Sequence, residues 1–297
     1  MTRAIARAPA ATAATTRPTA PRWLARVPVN AAVILLMVVW SIPTLGLIVS
    51  SFRPPSLVQT TGWWTAVSPP LQLTIENYQR VLNTNNMATS FVNSLVITIP
   101  ATVIPIAIAT YAAYAFSWMR FPGRNFLFLV LVGLLVVPLQ TTLVPVLRLF
   151  TAVGLTGTFV ALWLAHTGYG LPLTIYLMRN FIGALPRDLF EAAAIDGAGA
   201  LGTFFRIVVP LSVPALASVA IFQFLWVWND LLVALVYVGG TPNVAPVTVT
   251  VSNLVNSLGQ NWQLLTAAAF IASALPLVVF ISLQRYFVRG MLAGSYR

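Results

Sequence analysis

Cysteine and lysine are both absent from this chain of 297 residues. Without cysteine, the sequence excludes disulfides, thiolate metal sites and cysteine nucleophiles, and redox chemistry gives no clue to the compartment. Without lysine it has no P-loop, because the lysine of that motif must reach the nucleotide phosphates. Any ATP hydrolysis linked to this chain must therefore take place on another chain.

Charged residues are scarce, at 7% of the chain, whereas ordinary soluble domains have about 25%. Hydrophobic residues make up 59%. The net charge of +11 comes from arginines that are spread between apolar runs, whereas a nucleic-acid-binding protein gathers its basic residues on one face or domain. The composition therefore predicts a protein that lies in a lipid bilayer and binds no nucleic acid.

Six apolar stretches are long enough to cross a hydrocarbon core of about 30 Å as helices of about 20 residues. They are residues 31–51, 91–118, 126–147, 158–178, 211–238 and 264–284. We predict an all-α integral membrane protein in which residues 31–297 form one domain of six transmembrane helices.

The arginines set the expected orientation, because most of them lie on one side of these spans. That side holds Arg3, Arg7, Arg17, Arg22, Arg26, Arg120, Arg124, Arg179, Arg187, Arg206, Arg285, Arg289 and Arg297. Only Arg53, Arg80 and Arg148 fall on the other side. By the positive-inside bias both termini are cytoplasmic, and segments 52–90 and 239–263 lie outside. Interfacial anchors are expected at Trp63, Trp64 and Trp262.

The N-terminal tail shows no apolar periodicity and is rich in Ala, Thr, Pro and Arg up to about residue 22. We assign residues 1–30 to a disordered, basic cytoplasmic tail. A cleaved signal peptide is the alternative. The apolar run from Ala31 to Ser50 is too long for the core of a signal peptide, and no small-residue cleavage site follows it, so we expect an uncleaved anchor.

A cytoplasmic loop at residues 183–210, between the fourth and fifth predicted spans, is the most charged stretch outside the tail. Pro186 suits the first position of a helix, and Asp188 and Glu191 suit the positive end of its dipole. Gly197 suits a left-handed stop. The loop therefore predicts a short helix with an acidic face that is available to a partner.

The other face of this helix is expected to carry Leu185, Leu189 and Ala192 against the ends of the spans. A second helical segment is expected from Thr203 to Ile207, with Pro210 at the turn into the fifth span. An interfacial hairpin that only covers the membrane surface, without a partner, explains the same physics. The pattern alone leaves these two interpretations open.

The spacing of the loop resembles the E-A-A motif of ABC importer permeases. Glu191-Ala192-Ala193 is followed after three intervening residues by Gly197 and, after nine more intervening residues, by Ile207, with Val209-Pro210 beyond it. Val209 stands where the motif usually has leucine. Further pieces are similar to carbohydrate permeases of the maltose type and their smaller permease subunit: Asn77-Tyr78, Asn93-Ser94, Pro138 with Gln140, Trp228-Asn229-Asp230-Leu231 and Gln284 to Gly290. The C-terminus departs from that family, which commonly ends near Gly-Ala-Val-Lys.

The resemblance implies a type I ABC importer permease in the inner membrane of a bacterium. Its E-A-A loop would be a coupling helix that docks into a cleft on the cytoplasmic ATPase. It implies as partners a second homologous permease, two ATP-binding subunits and an extracytoplasmic solute-binding protein. ATP and magnesium would bind to the partner ATPase, with no cofactor or metal on this chain, and the solute would be a carbohydrate. The residues carried over to coupling are Arg187, Asp188, Glu191, Ala192, Ala193, Asp196, Gly197, Ala198, Phe204 and Pro210.

Polar and aromatic residues within the spans form a candidate substrate pathway, namely Asn93, Gln140, Trp228, Asn229 and Asp230. An ionisable group at membrane depth is a functional candidate, but Asn229 and Asp230 equally fit a hydrogen-bonded pair that holds helices together. Trp226 and Trp228 fit either stacking on a sugar or packing. The single histidine, His166, fits an interhelical hydrogen bond as well as a functional role.

Three other interpretations remain to be weighed. A stand-alone secondary transporter of a small polar solute would have few titratable groups to use, since Asp230 and His166 are the only candidates in the spans. An intramembrane enzyme would need a catalytic constellation that the spans lack. Gly197, Gly199 and Gly202 spell G-x-G-x-x-G, but the dinucleotide motif needs a preceding strand, and a helix is predicted there.

Overall fold

The computed structural model describes residues 22–68, 72–84, 86–239, 241–254 and 261–293, and every regular element in these ranges is helical. The helices are α1 (Arg22–Ser51), α2 (Pro55–Thr60), α3 (Glu76–Thr84), α4 (Met87–Trp118), α5 (Arg124–Leu134), α6 (Leu139–Ala152), α7 (Phe159–Gly183), α8 (Arg187–Ile195), α9 (Ala200–Thr203), α10 (Val209–Leu211), α11 (Val213–Trp228), α12 (Leu232–Tyr237), α13 (Val247–Ser252) and α14 (Trp262–Ala293). A 3₁₀ turn covers Trp63–Val67, and a π-helical turn covers Phe204–Val208.

Three helices of the described chain are long and apolar enough to cross a membrane, within α1, α4 and α14. The number rises to five if each of two sharply bent helix pairs counts as one span. The helix α7 has 25 residues but is not among them, because polar, glycine and proline residues from His166 to Pro172 interrupt its apolar sequence. The prediction of six spans therefore stays a prediction.

The chain divides into two compact units, residues 1–47 and 48–297. The described part of the first unit is most of α1, and its apolar side chains between Val27 and Leu47 are largely exposed. The helix begins at Arg22, so residues 22–30 of the predicted tail are helical. The remainder of that tail, residues 1–21, lies outside the described residues.

The centre of the second unit is the pair α4 and α7, which run parallel. Near the start of each helix the Trp163 Nε1 donates to the Val96 carbonyl at 2.9 Å, and at the far ends the Trp118 Nε1 donates to the Ile182 carbonyl at 2.9 Å. The helix α11 packs against both, and α14 packs on α11. Three buried apolar clusters follow one another along α4, containing Met87, Ala101 and Tyr114 respectively.

Two of the predicted spans are broken rather than continuous. The stretch 126–147 bends by 101° between α5 and α6, because Pro138 disfavours a helical conformation at the preceding Val137. The stretch 211–238 is interrupted between α11 and α12 at Asn229 and Asp230, whose side chains bond to nearby backbone groups and so compete with the helix.

Two other segments, residues 243–250 and the helix α8, lie at opposite ends of α4. Residues 243–250 pack against its N-terminal part, where Asn93 Nδ2 donates to the carbonyls of Asn243 and Ala245, both at 3.1 Å. The helix α8 packs against its C-terminal end through Phe190 and Trp118. At about 1.5 Å per residue, the 32 residues of α4 span about 48 Å, more than a hydrocarbon core.

Candidate functional site

The helix α8 forms where the sequence predicts it and ends on a Schellman motif. Pro186 precedes the first helical residue, one position before the prediction, and Asp188 lies in the first turn. Gly197 has φ of +73°, and its N–H donates to the Ala194 carbonyl at 3.1 Å. The N–H of Ala198 donates to the Ala193 carbonyl at 2.9 Å, which completes the pattern of this C-cap. The left-handed stop at Gly197 is therefore confirmed.

The face of α8 that packs on the bundle differs from the prediction. Phe190 is half-buried and Ala193 is buried, whereas Leu189 and Ala192 are exposed. The shift follows from aromatic stacking. The Phe190 ring lies 3.9 Å from the Trp118 ring at 18°, and this contact turns α8 about its axis so that positions 190 and 193 face inward.

An aromatic seat for the loop is formed by α4 residues that sequence reasoning missed. Tyr111, Tyr114 and Trp118 have the i, i+3, i+7 spacing of one helix face, which was the available signal. Phe190 stacks near Tyr114 at 6.3 Å, and Phe204 packs edge-on against Tyr111 at 5.0 Å. The seat joins both halves of the loop to one end of α4.

The second half of the loop continues as one helical segment from residue 200 to 211. Phe204 is buried, while Pro210 is exposed and lies inside α10. The turn into α11 comes at Ser212, where the axis bends by 75°, and not at Pro210 as predicted. Pro214 contributes to the difference, because it has no N–H to donate to the carbonyl of Pro210.

The outward face of α8 carries its charges. Arg187, Asp188, Glu191 and Asp196 are all exposed, and the Arg187 Nε donates to Glu191 Oε1 at 2.7 Å. Both side chains of this ion pair are more than half exposed, so it contributes only about 0.3–0.5 kcal/mol and can exchange for other partners. Ile195 is 86% exposed beside them. The helix α8, which packs on α4, thus presents a mixed charged and apolar face to its surroundings.

The candidate pathway residues in the first half of the chain lie apart. Asn93 is buried and holds segment 243–245 through its two hydrogen bonds, which is a structural role. Gln140 is exposed in the first turn of α6, directly after the 101° bend. The structure gives Asn93 and Gln140 no shared site.

Trp228, Asn229 and Asp230 lie together at the break between α11 and α12, but they face different ways. Trp228 is 2% exposed and packs between Phe91 and Phe224, so it is a packing residue in this structure. Asn229 is exposed, with its Nδ2 donating to the Leu225 carbonyl at 2.7 Å. Only Asn229 and Gln140 of the candidate set are exposed.

Asp230 caps the start of α12, as its carboxylate accepts the N–H groups of Val233 at 3.2 Å and Ala234 at 3.0 Å. Its Oδ2 lies 3.8 Å from Nε2 of the buried His166, whose Nδ1 has no partner within the described residues. The Thr248 hydroxyl donates to the Asp230 carbonyl at 2.6 Å. Asp230 thus connects α12 to α7 and α13.

Comparison with known proteins gives one family. Residues 20–293 match the model of the binding-protein-dependent transport system inner membrane component. The osmoprotective compounds uptake permease protein GgtD of Synechocystis sp. is 61% identical over 275 residues, covering 92% of this chain and 92% of that protein. The alpha-glucoside transport system permease protein AglG of Rhizobium meliloti is 53% identical over 240 residues, covering 79% of this chain and 63% of that protein.

A solved structure resembles the fold. In the crystal structure of a bacterial ABC transporter involved in the import of the acidic polysaccharide alginate, one chain aligns with a TM-score of 0.64 at 14% identity, over 90% of this chain and 98% of that one. A second structure, of the bacterial alginate ABC transporter with an alginate pentasaccharide-bound periplasmic protein, aligns with a TM-score of 0.59 at 15% identity, over 88% of this chain and 94% of that one. At such low identity these likenesses show the fold alone.

Proposed function

The chain belongs to the family of binding-protein-dependent transport system inner membrane components, and from this premise we propose that residues 183–210 couple ATP hydrolysis on a partner subunit to the import of an α-glucoside. Members of the family are permease subunits of ATP-driven importers, and the ATPase is a separate subunit. The protein is thus a transport subunit without an ATPase site of its own.

The observation that carries the coupling role is the way α8 is held. Its inner face stacks on Trp118 through Phe190, while its outer face leaves Glu191 and Ile195 exposed. A hairpin that only covered the membrane surface would not need this stacked contact with the transmembrane helix α4. A partner that binds the outer face and moves would displace α4 directly, as alternating access requires.

The topology we propose has six spans and cytoplasmic termini. The parallel course of α4 and α7 supports it, because two parallel helices need an odd number of crossings between them, and the bent pair α5 and α6 supplies one. The loop at 183–210 then lies in the cytoplasm, where two ATP-binding subunits with magnesium would bind. The segment 239–263 lies outside, available to a solute-binding protein, and Asn253 is exposed there.

The proposed solute class rests on the relatives. The names of the two described above refer to osmoprotective compounds and to alpha-glucosides, at 61% and 53% identity. The α-glucoside is the more narrowly defined of these two solute classes, and it is the one that we propose. A second, homologous permease would complete the pathway in the bacterial inner membrane, with Gln140 and Asn229 as the exposed polar residues that this chain contributes.

The test is a charge reversal in the loop beside the same reversal elsewhere. Glu191→Lys removes the acidic group from the outer face of α8 and should lower the ATP turnover stimulated by loaded binding protein by roughly tenfold, the size of about 1.4 kcal/mol of lost contact. Glu76→Lys, on the exposed start of α3, is the control and should keep wild-type turnover. Reconstituted complexes give both values, with a pull-down of the ATPase. Wild-type uptake in the Glu191 variant would contradict the coupling role.

A further inference from the structure

Prolines inside the helices of the second unit leave backbone carbonyls without their usual partner. The prolines within α4, α6, α7 and α14 are Pro100, Pro105, Pro145, Pro172 and Pro276. Each lacks the N–H that would bond to the carbonyl four residues earlier. In the hydrocarbon core no water can replace that donor, so a freed carbonyl is costly unless a neighbouring helix supplies one.

Two of these carbonyls lie on α4, and each accepts a side-chain N–H from another helix. The Val96 carbonyl, freed by Pro100, accepts Nε1 of Trp163 in α7 at 2.9 Å. The Ala101 carbonyl, freed by Pro105, accepts Nε2 of Gln223 in α11 at 3.1 Å. Each side-chain donor therefore bonds to a carbonyl whose backbone donor is missing.

A third carbonyl shows the same arrangement on α14. The Ala272 carbonyl, freed by Pro276, accepts Nε1 of the buried Trp228 in α11 at 3.0 Å. Trp118 makes a related contact at the end of α7, where it donates to the Ile182 carbonyl four residues before Pro186, although this carbonyl also accepts the Leu185 N–H at 3.3 Å. Every tryptophan N–H that bonds to a carbonyl in the described part of the chain thus reaches the residue four positions before a proline.

The space for Gln223 is provided by a glycine. A Cβ at Gly170 would lie 2.7 Å from both amide atoms of Gln223, so any larger residue there would displace the amide. Gln223 is 5% exposed and has its place between α4 and α7. The donor, the notch that admits it and the proline that requires it come from three different helices.

We propose that Trp163, Gln223 and Trp228 are positioning residues, each supplying from a neighbouring helix the hydrogen bond that a proline withholds. Together they connect α7 to α4, α11 to α4 and α11 to α14. On the basis of the proposed function, they hold these helices as one body, so that a displacement of α8 at one end of α4 reaches segment 243–250 at the other.

The first test is a double-mutant cycle on the full chain in detergent, read by thermal unfolding. Trp228→Phe keeps a ring but removes the N–H, and should lower the unfolding midpoint by a few degrees. Pro276→Ala restores the backbone donor to the Ala272 carbonyl, so the double variant should recover a substantial part of that loss. Trp228→Phe with Pro105→Ala is the mismatched control and should show no recovery. Additive effects in the matched pair would overturn the proposal.

The same cycle is run with Gln223→Met and Pro105→Ala, and with Trp163→Phe and Pro100→Ala. A merely structural role would not change coupling, so the second readout is solute taken up per ATP hydrolysed in the reconstituted complex. We expect Trp228→Phe to lower this ratio several-fold and Pro276→Ala to raise it again in the double variant. An unchanged ratio would overturn the positioning role. A wild-type complex without ATP-dependent uptake would contradict the proposed function instead, while the unfolding cycle would still decide the hydrogen bonds.

Discussion

Gly197 is the residue at which backbone conformation can be separated from packing. Its φ is +73°, and a Cβ built there would meet no atom within 4 Å. Any cost of substitution therefore comes from the left-handed conformation alone, about 1–2 kcal/mol for an ordinary residue and less for asparagine.

We predict that Gly197→Val uncouples transport whereas Gly197→Asn largely preserves it. Valine is β-branched and disfavours the left-handed region, so the end of α8 would rearrange, while asparagine keeps the Schellman cap. Binding-protein-stimulated ATP turnover should fall several-fold in the first variant and stay near wild type in the second. Equal activity of the two variants would mean that the cap geometry is irrelevant to coupling.

Asp230 allows a capping role to be distinguished from a contact with the solute. Asparagine caps helices about as well as aspartate, whereas alanine costs about 1 kcal/mol. We predict that Asp230→Ala lowers the stability of the chain by about that amount and that Asp230→Asn, which keeps one of the two acceptor oxygens, lowers it less. Thermal unfolding measures the first effect. Loss of uptake in a stable Asp230→Asn chain would assign the carboxylate to the solute pathway, against our expectation.

At the scale of residues, the sequence predicts what local chemistry determines. The stop at Gly197 follows from backbone sterics, so a single chain position was enough to predict it. The burial of Trp228 does not, because its partners Phe91, Phe224 and Ala272 come from distant positions. The sequence therefore allows sugar stacking beside the commoner packing role, and the fold decides between them.

Among the elements, α8 separates binding of a partner from transmission of its movement. Phe190 faces the seat on α4, whereas Leu189, one position earlier, is exposed. We predict that Phe190→Ala leaves ATPase binding intact but lowers solute uptake per ATP several-fold, because up to roughly 3 kcal/mol of aromatic packing is lost between the helices. Leu189→Ala is the matched control, because Leu189 lies on the same helix but not on its inner face. This variant should keep the wild-type ratio of solute taken up per ATP. A pull-down beside the uptake assay tests this, and loss of binding with Phe190→Ala would contradict it.

The helices themselves were predictable from their apolar runs, and their breaks were less so. Proline acts locally, yet Pro138 breaks a helix while Pro100 and Pro105 lie inside the continuous α4. The difference is that side chains from α7 and α11 satisfy the carbonyls freed in α4. How α4 accommodates its two prolines thus involves donors from other helices, which the local sequence does not contain.

For the whole molecule, the buried arginine at residue 53 refines the charge argument for orientation. Arg53 is 1% exposed, and its guanidinium donates to the carbonyl of Gly62 at 2.9 Å and to the Thr65 hydroxyl at 3.1 Å. It serves to hold the turn after α2 and is not free to interact with the membrane surface. Its position on the side with few arginines is therefore compatible with the proposed orientation.

The absence of native cysteine makes this orientation directly testable, since a single introduced thiol is labelled without background. Ile195 on α8 and Asn253 after α13 are both exposed. The helices that carry or precede them lie at opposite ends of α4. We predict that a membrane-impermeant maleimide modifies Asn253→Cys in right-side-out vesicles and Ile195→Cys only in inverted ones. The buried Ala101→Cys should react in neither.

Partners should then protect these thiols selectively, because each proposed binding surface lies on one side of the membrane. Added ATPase should slow the labelling of Ile195→Cys several-fold without affecting Asn253→Cys, and solute-loaded binding protein should do the reverse. Labelling of both positions from the same side would contradict the topology and, with it, the separation of the ATPase and the binding protein on which the coupling mechanism depends.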